Sequence, residues 1–377
     1  MRLLTVTHFF ESHGGGIEVV AGELCRALAD IGHQAIWAAS DADALPVDPR
    51  FETLPLACSN PIERLTGLPM PIPLPRSLAK LNQAVAAADA VIVHDALYAT
   101  SLAAAHAARR FGKSLILCQH IAAIPFAAAS MRLLMKAANR LVTEPMLRSA
   151  DQIVFISDTV RSDFAHVPTR RSPQLVFNGV DSELFRPGQR QRAAFNLPES
   201  GKLAAFVGRF VEKKGLSVLR EVARLRPDIS FALAGSGPVD PSAWGLPNIH
   251  ILGRLSRERV ADLFRSADLL LLPSIGEGYP LVIQEAMACG LPVICSEESA
   301  RADPLAARWL YGIPINLREP IMTARRVVDA VDGLIPEPAI QSQMARYAAS
   351  AYNWSHMATE IARLANLLIE AKRHPFL

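Results

Sequence analysis

Two apolar patterns alternate along this chain: short unbroken apolar runs, and stretches in which apolar residues recur every three to four positions. The runs predict strands at residues 2–7, 34–39, 90–94, 115–118, 152–156 and 174–177. The helical stretches fall between them, at 17–31 (closed by Gly32), 101–110 and 130–142. Runs apolar on both faces, separated by helices, predict a doubly wound parallel sheet. After Asn178-Gly-Val-Asp181 and the polar stretch 186–192 the alternation restarts. Strands are expected at 203–207, 230–233, 250–252, 269–272 and 293–295, and helices at 215–225, 257–265 and 281–289. Pro69, Pro71, Pro73 and Pro75 stand at every second position, which suits neither a helix nor an inner strand, so this segment is expected to be a rim loop.

Length agrees with a doubled unit. At about 150 residues per domain, 377 residues make two domains and a remainder. The expected division is 1–186, 187–354 and a closing helix over 355–377. Half of the residues are hydrophobic, only 6% are aromatic, and 39 basic residues nearly cancel 36 acidic ones. This composition excludes a disordered or polyionic chain and points to aliphatic helix-on-sheet cores. It also argues against a nucleic-acid binder, which would carry a basic excess. Cys25, Cys58, Cys118, Cys289 and Cys295 form no CxxC and are odd in number, so buried free thiols in a reducing, cytoplasmic setting are expected. The uncharged stretch 114–131 is interrupted by Gln119, His120 and Pro125 and is not read as a membrane span.

Charge is uneven in one place. Arg109, Arg110, Lys113, Arg132, Lys136, Arg140 and Arg148 face only one acid between 109 and 148, Glu144. Arg132, Lys136 and Arg140 recur every four residues, which places them on one side of an amphipathic helix. Two readings stay open: a solvated face packed on its own domain, and docking on an anionic membrane surface or acidic acceptor.

Four segments carry candidate chemistry. Gly14-Gly15-Gly16 lies between the first strand and its helix, where backbone N–H groups can hold an anion, although the GxGxxG spacing is absent. Arg209 and Lys214 flank a turn at the carboxyl end of the second domain's first strand, so the pair can clamp a diphosphate. Lys213 reads as a solvated neighbour. In Glu277-Gly278-Tyr279-Pro280-Leu281-Val282-Ile-Gln-Glu285, Pro280 suits a helix start and Gly290 its end. The backbone of Gly278 to Val282 would then face phosphate, with Glu277 and Glu285 available for hydroxyl groups. Eight helical residues separate those acids by about 12 Å, beyond the ~5–9.5 Å span of hydrolytic pairs. Last, His120 sits just past a strand end, at the edge where such sheets bind ligands.

In order and spacing these segments resemble the retaining, nucleotide-sugar-dependent glycosyltransferases of family 4. The likeness also takes in Phe177-Asn-Gly-Val-Asp181, Phe185-Arg-Pro187, Ala234-Gly-Ser-Gly-Pro238, Leu252-Gly-Arg-Leu255 and Tyr352-Asn-Trp-Ser. It implies the GT-B fold, two Rossmann-like domains facing across a cleft, with the last helix crossing back onto the first. It implies that Arg209 and Lys214 bind the donor diphosphate and steady its departing charge. Glu285 would hold the ribose, Glu277 the transferred sugar, and Leu255 would lie beside the base. Gly15 and Gly16 would lie against the phosphates, Gly235 among the donor-binding residues, and His120 near the reacting sugar. No cofactor or metal is expected, because cations and helix amides meet the charge.

The implied reaction moves a sugar from a UDP- or GDP-sugar to a hydroxyl of a glycan or glycolipid, in cell-surface polysaccharide or glycolipid synthesis. The expected location is cytoplasmic, peripheral on the inner membrane face if the basic helix docks there. Alternatives on the same scaffold are a nucleotide-sugar epimerase, a phosphorylase, for which none of the seven lysines has a recognisable cofactor setting, and a non-catalytic binding protein. One departure stands out: residues 295–304, Cys-Ser-Glu-Glu-Ser-Ala-Arg-Ala-Asp-Pro, replace the family's small glycine-rich segment.

Overall fold

The structure is a computed structural model that describes residues 1–61, 70–122, 129–335 and 337–374. It divides into one unit of Met1–Gly179 with Trp354–Leu377, and a second of Val180–Asn353. The expected boundary at 187 moves back by seven residues because 180–186 is bound into the second unit. Val180 N donates to Tyr352 O at 3.0 Å, Arg265 Nη1 donates to Leu184 O at 3.0 Å, and Phe185 packs on Phe264.

The first unit holds a seven-stranded, all-parallel sheet: β1 (Arg2–Phe9), β2 (Gln34–Ser40), β3 (Phe51–Leu56), β4 (Ala90–His94), β5 (Ser114–Gln119), β6 (Gln152–Phe155) and β7 (Gln174–Leu175). Their order is β3-β2-β1-β4-β5-β6-β7. In the second unit β8 (Lys202–Val207), β9 (Ile229–Ala234), β10 (Ile249–Gly253), β11 (Leu269–Leu272), β12 (Val293–Ser296) and β13 (Leu310–Ile313) follow the order β10-β9-β8-β11-β12-β13, again all parallel. In each sheet the first strand lies centrally and the order reverses beside it. That reversal opens a crevice at the carboxyl ends of β1 and β4, and of β8 and β11.

Helices cover both sheets. The first unit has α1 (Gly16–Asp30), α2 (Pro75–Ala87), α3 (Ala99–Arg110), α4 (Ala129–Ala138), α5 (Glu144–Ser149) and α6 (Asp158–Asp163). The second has α7 (Leu216–Leu225), α8 (Arg257–Ser266), α9 (Leu281–Ala288), α10 (Glu297–Ala300), α11 (Pro320–Gly333) and α12 (Pro338–Ala351). The closing helix α13 (Trp354–Arg373) packs on α1, and its Lys372 Nζ reaches Asp151 Oδ2 at 2.8 Å. Serine hydroxyls satisfy the first orphan amides of several helices, as Ser157 does for Val160 N and Ser256 for Arg259 N.

Three local expectations change. The helix expected over 130–142 ends at Ala138 and continues as a π-turn over Asn139–Thr143. The proline-rich segment falls partly outside the described residues, but Ile72–Pro73 pairs antiparallel with Cys58–Ser59, and Pro75 opens α2. Of the five free cysteines, Cys58 is only half-buried. No helix of the described residues is long and apolar enough to cross a membrane.

In the second unit Arg192 is 4% exposed and ties the segment ahead of β8 to the end of α8. Its guanidinium donates to the carbonyls of Ser266, Pro198 and Gly201 and to Asp268 Oδ2, the last at 2.8 Å. Arg192→Met should lower the unfolding free energy by about 3 kcal/mol, the low end for a broken buried pair because Arg190 keeps Asp268 company at 2.8 Å. Urea unfolding monitored by circular dichroism measures it.

Candidate functional site

At the carboxyl end of β8, Gly208, Arg209 and Phe210 lie against the loop that leaves β9. A Cβ on Gly235 would stand 1.9 Å from Gly208 O, and its φ of 147° already disfavours a side chain. Phe210 N donates to Ser236 O at 2.8 Å, and Gly208 N to Ala234 O at 3.0 Å, so the two strand ends are laced together. Gly235 is therefore a packing requirement beneath Arg209. Arg209 is exposed, with no acidic partner among the described residues.

A second close approach sets the lysines. Gly215, at φ 76°, caps α7, and a Cβ there would stand 2.1 Å from Pro273 O. Ile275 N donates to Lys213 O at 3.0 Å, which draws the 212–215 turn onto the loop leaving β11. Glu277 Oε1 then lies 3.1 Å from Lys214 Nζ and 3.6 Å from Lys213 Nζ. Lys213 is thus a second partner of Glu277 rather than a solvated neighbour. Burial works to raise the Glu277 pKa, but Lys214 and Lys213 hold it below the usual carboxylate value. Burial, with Lys214 and Arg209 nearby, lowers Lys213 despite the attraction of Glu277.

The loop ends at Pro280 and α9 begins. Leu281 and Val282 are half-buried and carry N–H groups with no intrahelical acceptor, while Ile283 N turns back to Pro280 O at 3.0 Å. Glu285 stands one turn further in, half-buried. Three cations, an uncapped helix start and two carboxylates so lie at one sheet edge, an arrangement suited to a diphosphate bearing hydroxylated groups. Leu255, half-buried, follows β10 on the edge of the same sheet.

Tyr279 faces the other way. Its side chain is 3% exposed, and its hydroxyl lies 2.9 Å from that of Tyr352. Tyr352 and Tyr347 both donate to Asp303 Oδ2, at 2.7 and 2.6 Å, and Asp303 Oδ1 accepts from Leu305 N at 2.9 Å. The ring of Tyr279 is therefore not open to a ligand; it anchors the loop from behind. Sequence reasoning missed Asp303 as a partner, although it lies in the segment singled out as atypical.

The remaining site residues belong to the first unit. His120, just past β5, is buried, and its Nε2 is 2.9 Å from Nδ1 of His94 at the end of β4. His120 N and Ile121 N donate to Asp95 Oδ1, at 2.8 and 3.3 Å. Asp95 adopts φ 58°, a left-handed conformation uncommon for a residue with a side chain. On α1, Glu18 folds back three positions to the cap at Gly15, where a Cβ would meet its Oε2 at 2.1 Å. Glu18 Oε1 also lies 2.9 Å from His8 Nε2, and His8 stacks on Tyr98 at 3.6 Å. Burial favours protonation of Glu18, but His8 keeps its pKa low. A phosphate at Gly15 would therefore meet a buried carboxylate, while Gly16 is exposed with open space where a side chain would be. The Gly15-x-x-Glu18 spacing is the capping-box signal that could have revealed this.

Family models match both halves of the chain: "Glycosyltransferase Family 4" over residues 14–184 and "Glycosyl transferases group 1" over 188–307. The chain belongs to glycosyltransferase family 4. Among curated relatives, the D-inositol 3-phosphate glycosyltransferase of Mycolicibacterium smegmatis is 30% identical over 254 residues, covering 62% of this chain and 54% of that protein. Its Mycolicibacterium paratuberculosis counterpart is 32% identical over 211 residues, covering 48% and 44%. The chain thus spans about half the length of the curated relatives it matches. Sucrose-phosphate synthase from Thermosynechococcus elongatus superposes with a TM-score of 0.73 at 18% identity, covering 98% of this family 4 chain and all of that one (100%). Anabaena HepE in complex with UDP gives 0.72 at 18% identity, covering 97% and 100%. The fold is GT-B.

Burial, opposed by the amides of His120 and Ile121, pushes the Asp95 carboxyl of this glycosyltransferase-family chain up to about 7 from 3.8. A raised folded-state pKa means tighter proton binding in the fold, so this contribution is present below about pH 4 and is lost as pH rises through 7. Asp95→Asn keeps the acceptor oxygen and removes the titration. The stability of Asp95→Asn relative to the parent should therefore rise between pH 4 and 7, which thermal melts across that range measure.

Proposed function

We propose that this chain is a retaining glycosyltransferase that moves a sugar from a UDP- or GDP-sugar to a hydroxyl of a glycan or glycolipid, in cell-surface polysaccharide or glycolipid synthesis. The observation that carries the reading is the cationic edge of the second unit. Lys214 and Lys213 flank one carboxylate, and an exposed Arg209 stands at the end of the neighbouring strand β8, at the same sheet edge as the N–H groups that start α9. That edge suits a leaving group that gains negative charge.

In this mechanism the bond between the sugar's anomeric carbon and the phosphate oxygen breaks, and its electron pair stays on the diphosphate. Arg209 meets the growing charge by paired hydrogen bonds, and Lys214 meets it as a point charge. The amides of Gly278, Leu281 and Val282 face the phosphates, Glu285 accepts from the ribose hydroxyls, and Leu255 packs beside the base. Glu277 accepts from a hydroxyl of the transferred sugar, and His120 contacts that sugar. Same-face attack by the acceptor oxygen retains configuration, and the acceptor's proton passes to the departing phosphate. No step calls on a metal or other cofactor. HepE's complex with UDP makes UDP-sugars the first donors to try.

Lys214→Ala should lower kcat/KM at least ~10²-fold, the usual cost of one charge-stabilising donor, and Glu285→Ala should chiefly raise the donor KM. The measurement is nucleotide release from UDP- and GDP-sugars in buffer containing EDTA. Unchanged release with either variant overturns the assigned site.

The acceptor reading includes a membrane surface. Leu133 and Leu134 on α4 are 70% and 54% exposed and Leu141 is 74% exposed, alongside Arg132, Lys136 and Arg140. This combination of apolar area and basic charge suits peripheral docking on anionic lipid, each cation adding about 1 kcal/mol. Flotation should show binding to vesicles containing phosphatidylserine but not to neutral ones. Replacing Arg132, Lys136 and Arg140 by Gln should abolish it.

A further inference from the structure

We infer that His94 is a positioning residue for His120: it donates its Nδ1 proton to His120 Nε2, so that His120 carries its own proton on Nδ1 and meets the substrate as a hydrogen-bond donor. The functional part of this inference rests on the proposed contact between His120 and the transferred sugar. The proton arrangement itself rests on the contact and the burial of the two rings.

The two rings lie 5.1 Å apart at 26°, with 2.9 Å between His94 Nδ1 and His120 Nε2. Neither side chain is open to solvent, at 0% and 3% exposure. Burial and the neighbouring imidazoles favour the uncharged form of both rings. A neutral imidazole has one donor and one acceptor nitrogen, so the contact holds a single proton and two arrangements are possible.

The far side of His94 decides between them. His94 Nε2 is buried and has no hydrogen-bond partner. If His120 were the donor, the proton of His94 would have to sit on that Nε2, as a buried N–H facing no acceptor. An orphaned buried donor costs about 1–3 kcal/mol and is the rarer defect, whereas an unfilled acceptor is tolerated more often. With the proton on Nδ1 instead, His94 Nε2 is a bare lone pair and the 2.9 Å contact is satisfied. The nearby acids are already engaged: Glu18 with His8, and Asp95 with the amides of His120 and Ile121. The same arrangement removes His120 as a base at the sugar, because its only unprotonated nitrogen is filled by His94. The acceptor proton must then go elsewhere, which agrees with its transfer to the departing phosphate.

Nitrogen-15 histidine labelling of the full chain tests this directly, since long-range proton–nitrogen spectra distinguish the two neutral tautomers. The His120 signal is identified by its loss in His120→Gln. Near pH 7 it should show the Nδ1–H tautomer, opposite to the Nε2–H form that free histidine prefers. In His94→Phe it should revert to Nε2–H, while His94→Asn, whose amide can still donate, should keep Nδ1–H. An Nε2–H or doubly protonated His120 in the parent overturns the inference, as does persistence of Nδ1–H in His94→Phe. If His94→Phe fails to fold, the parent spectrum alone still decides. Sugar transfer is not part of this readout, so loss of the proposed activity and loss of this inference are separate outcomes.

Discussion

A half-buried carboxylate between two lysines organises the strand-end edge of the second unit. Glu277 lies 3.1 Å from Lys214 and 3.6 Å from Lys213, and the lysines reach it only because Gly215 lets the 212–215 turn rest on Pro273 O. Placing charge at a sheet edge is costly unless it is paired, and this pairing leaves a surplus. Formally, Arg209, Lys213 and Lys214 bring three positive charges and Glu277 and Glu285 remove two, so one remains. Glu277 thus holds the two lysines in position while the edge keeps a net positive charge.

The first unit uses the same strand order for a different electrostatic purpose. At its crevice the anion position beside the α1 cap is already filled by Glu18, which His8 contacts at 2.9 Å. Behind it, His94, Asp95 and His120 are buried and hydrogen-bonded chiefly to one another and to backbone. One edge is cationic and open; the other is close to charge-balanced and largely closed. Two sheets of matching topology can therefore diverge in chemistry through the residues at their strand ends.

Sequence legibility followed how local each signal was. Strands 90–94 and 269–272 were readable to the residue because both are short apolar runs with polar or turn-forming flanks. Phe51–Leu56 was not, since Glu52 and Pro55 break its pattern at a sheet edge. Helices α2, α11 and α12 each begin at a proline, which reads as a breaker until its place in the first turn is known. In the site, Arg209, Lys214, Glu277 and Glu285 lie within two short motifs whose spacing already implies a turn or a helix start. His94 with His120, 26 residues apart, and Asp303 with Tyr352, 49 apart, meet only after the parallel sheets have formed.

That last pairing gives the atypical segment 295–304 a structural meaning. Within the segment Ser296 caps α10, and Asp303 accepts from two tyrosine hydroxyls and the amide of Leu305. Tyr352 donates to Asp303, and its hydroxyl also lies 2.9 Å from that of Tyr279, which in turn reaches Met287 Sδ at 3.6 Å. Hydrogen-bonding hydroxyls therefore link the loop bearing Glu277, through Tyr279 and Tyr352, to Asp303. Losing a glycine-rich turn would ordinarily cost backbone room near the loop. Here the replacement supplies a buried acceptor that fixes the same loop from its inner side, through the residue two places before the chain enters α13.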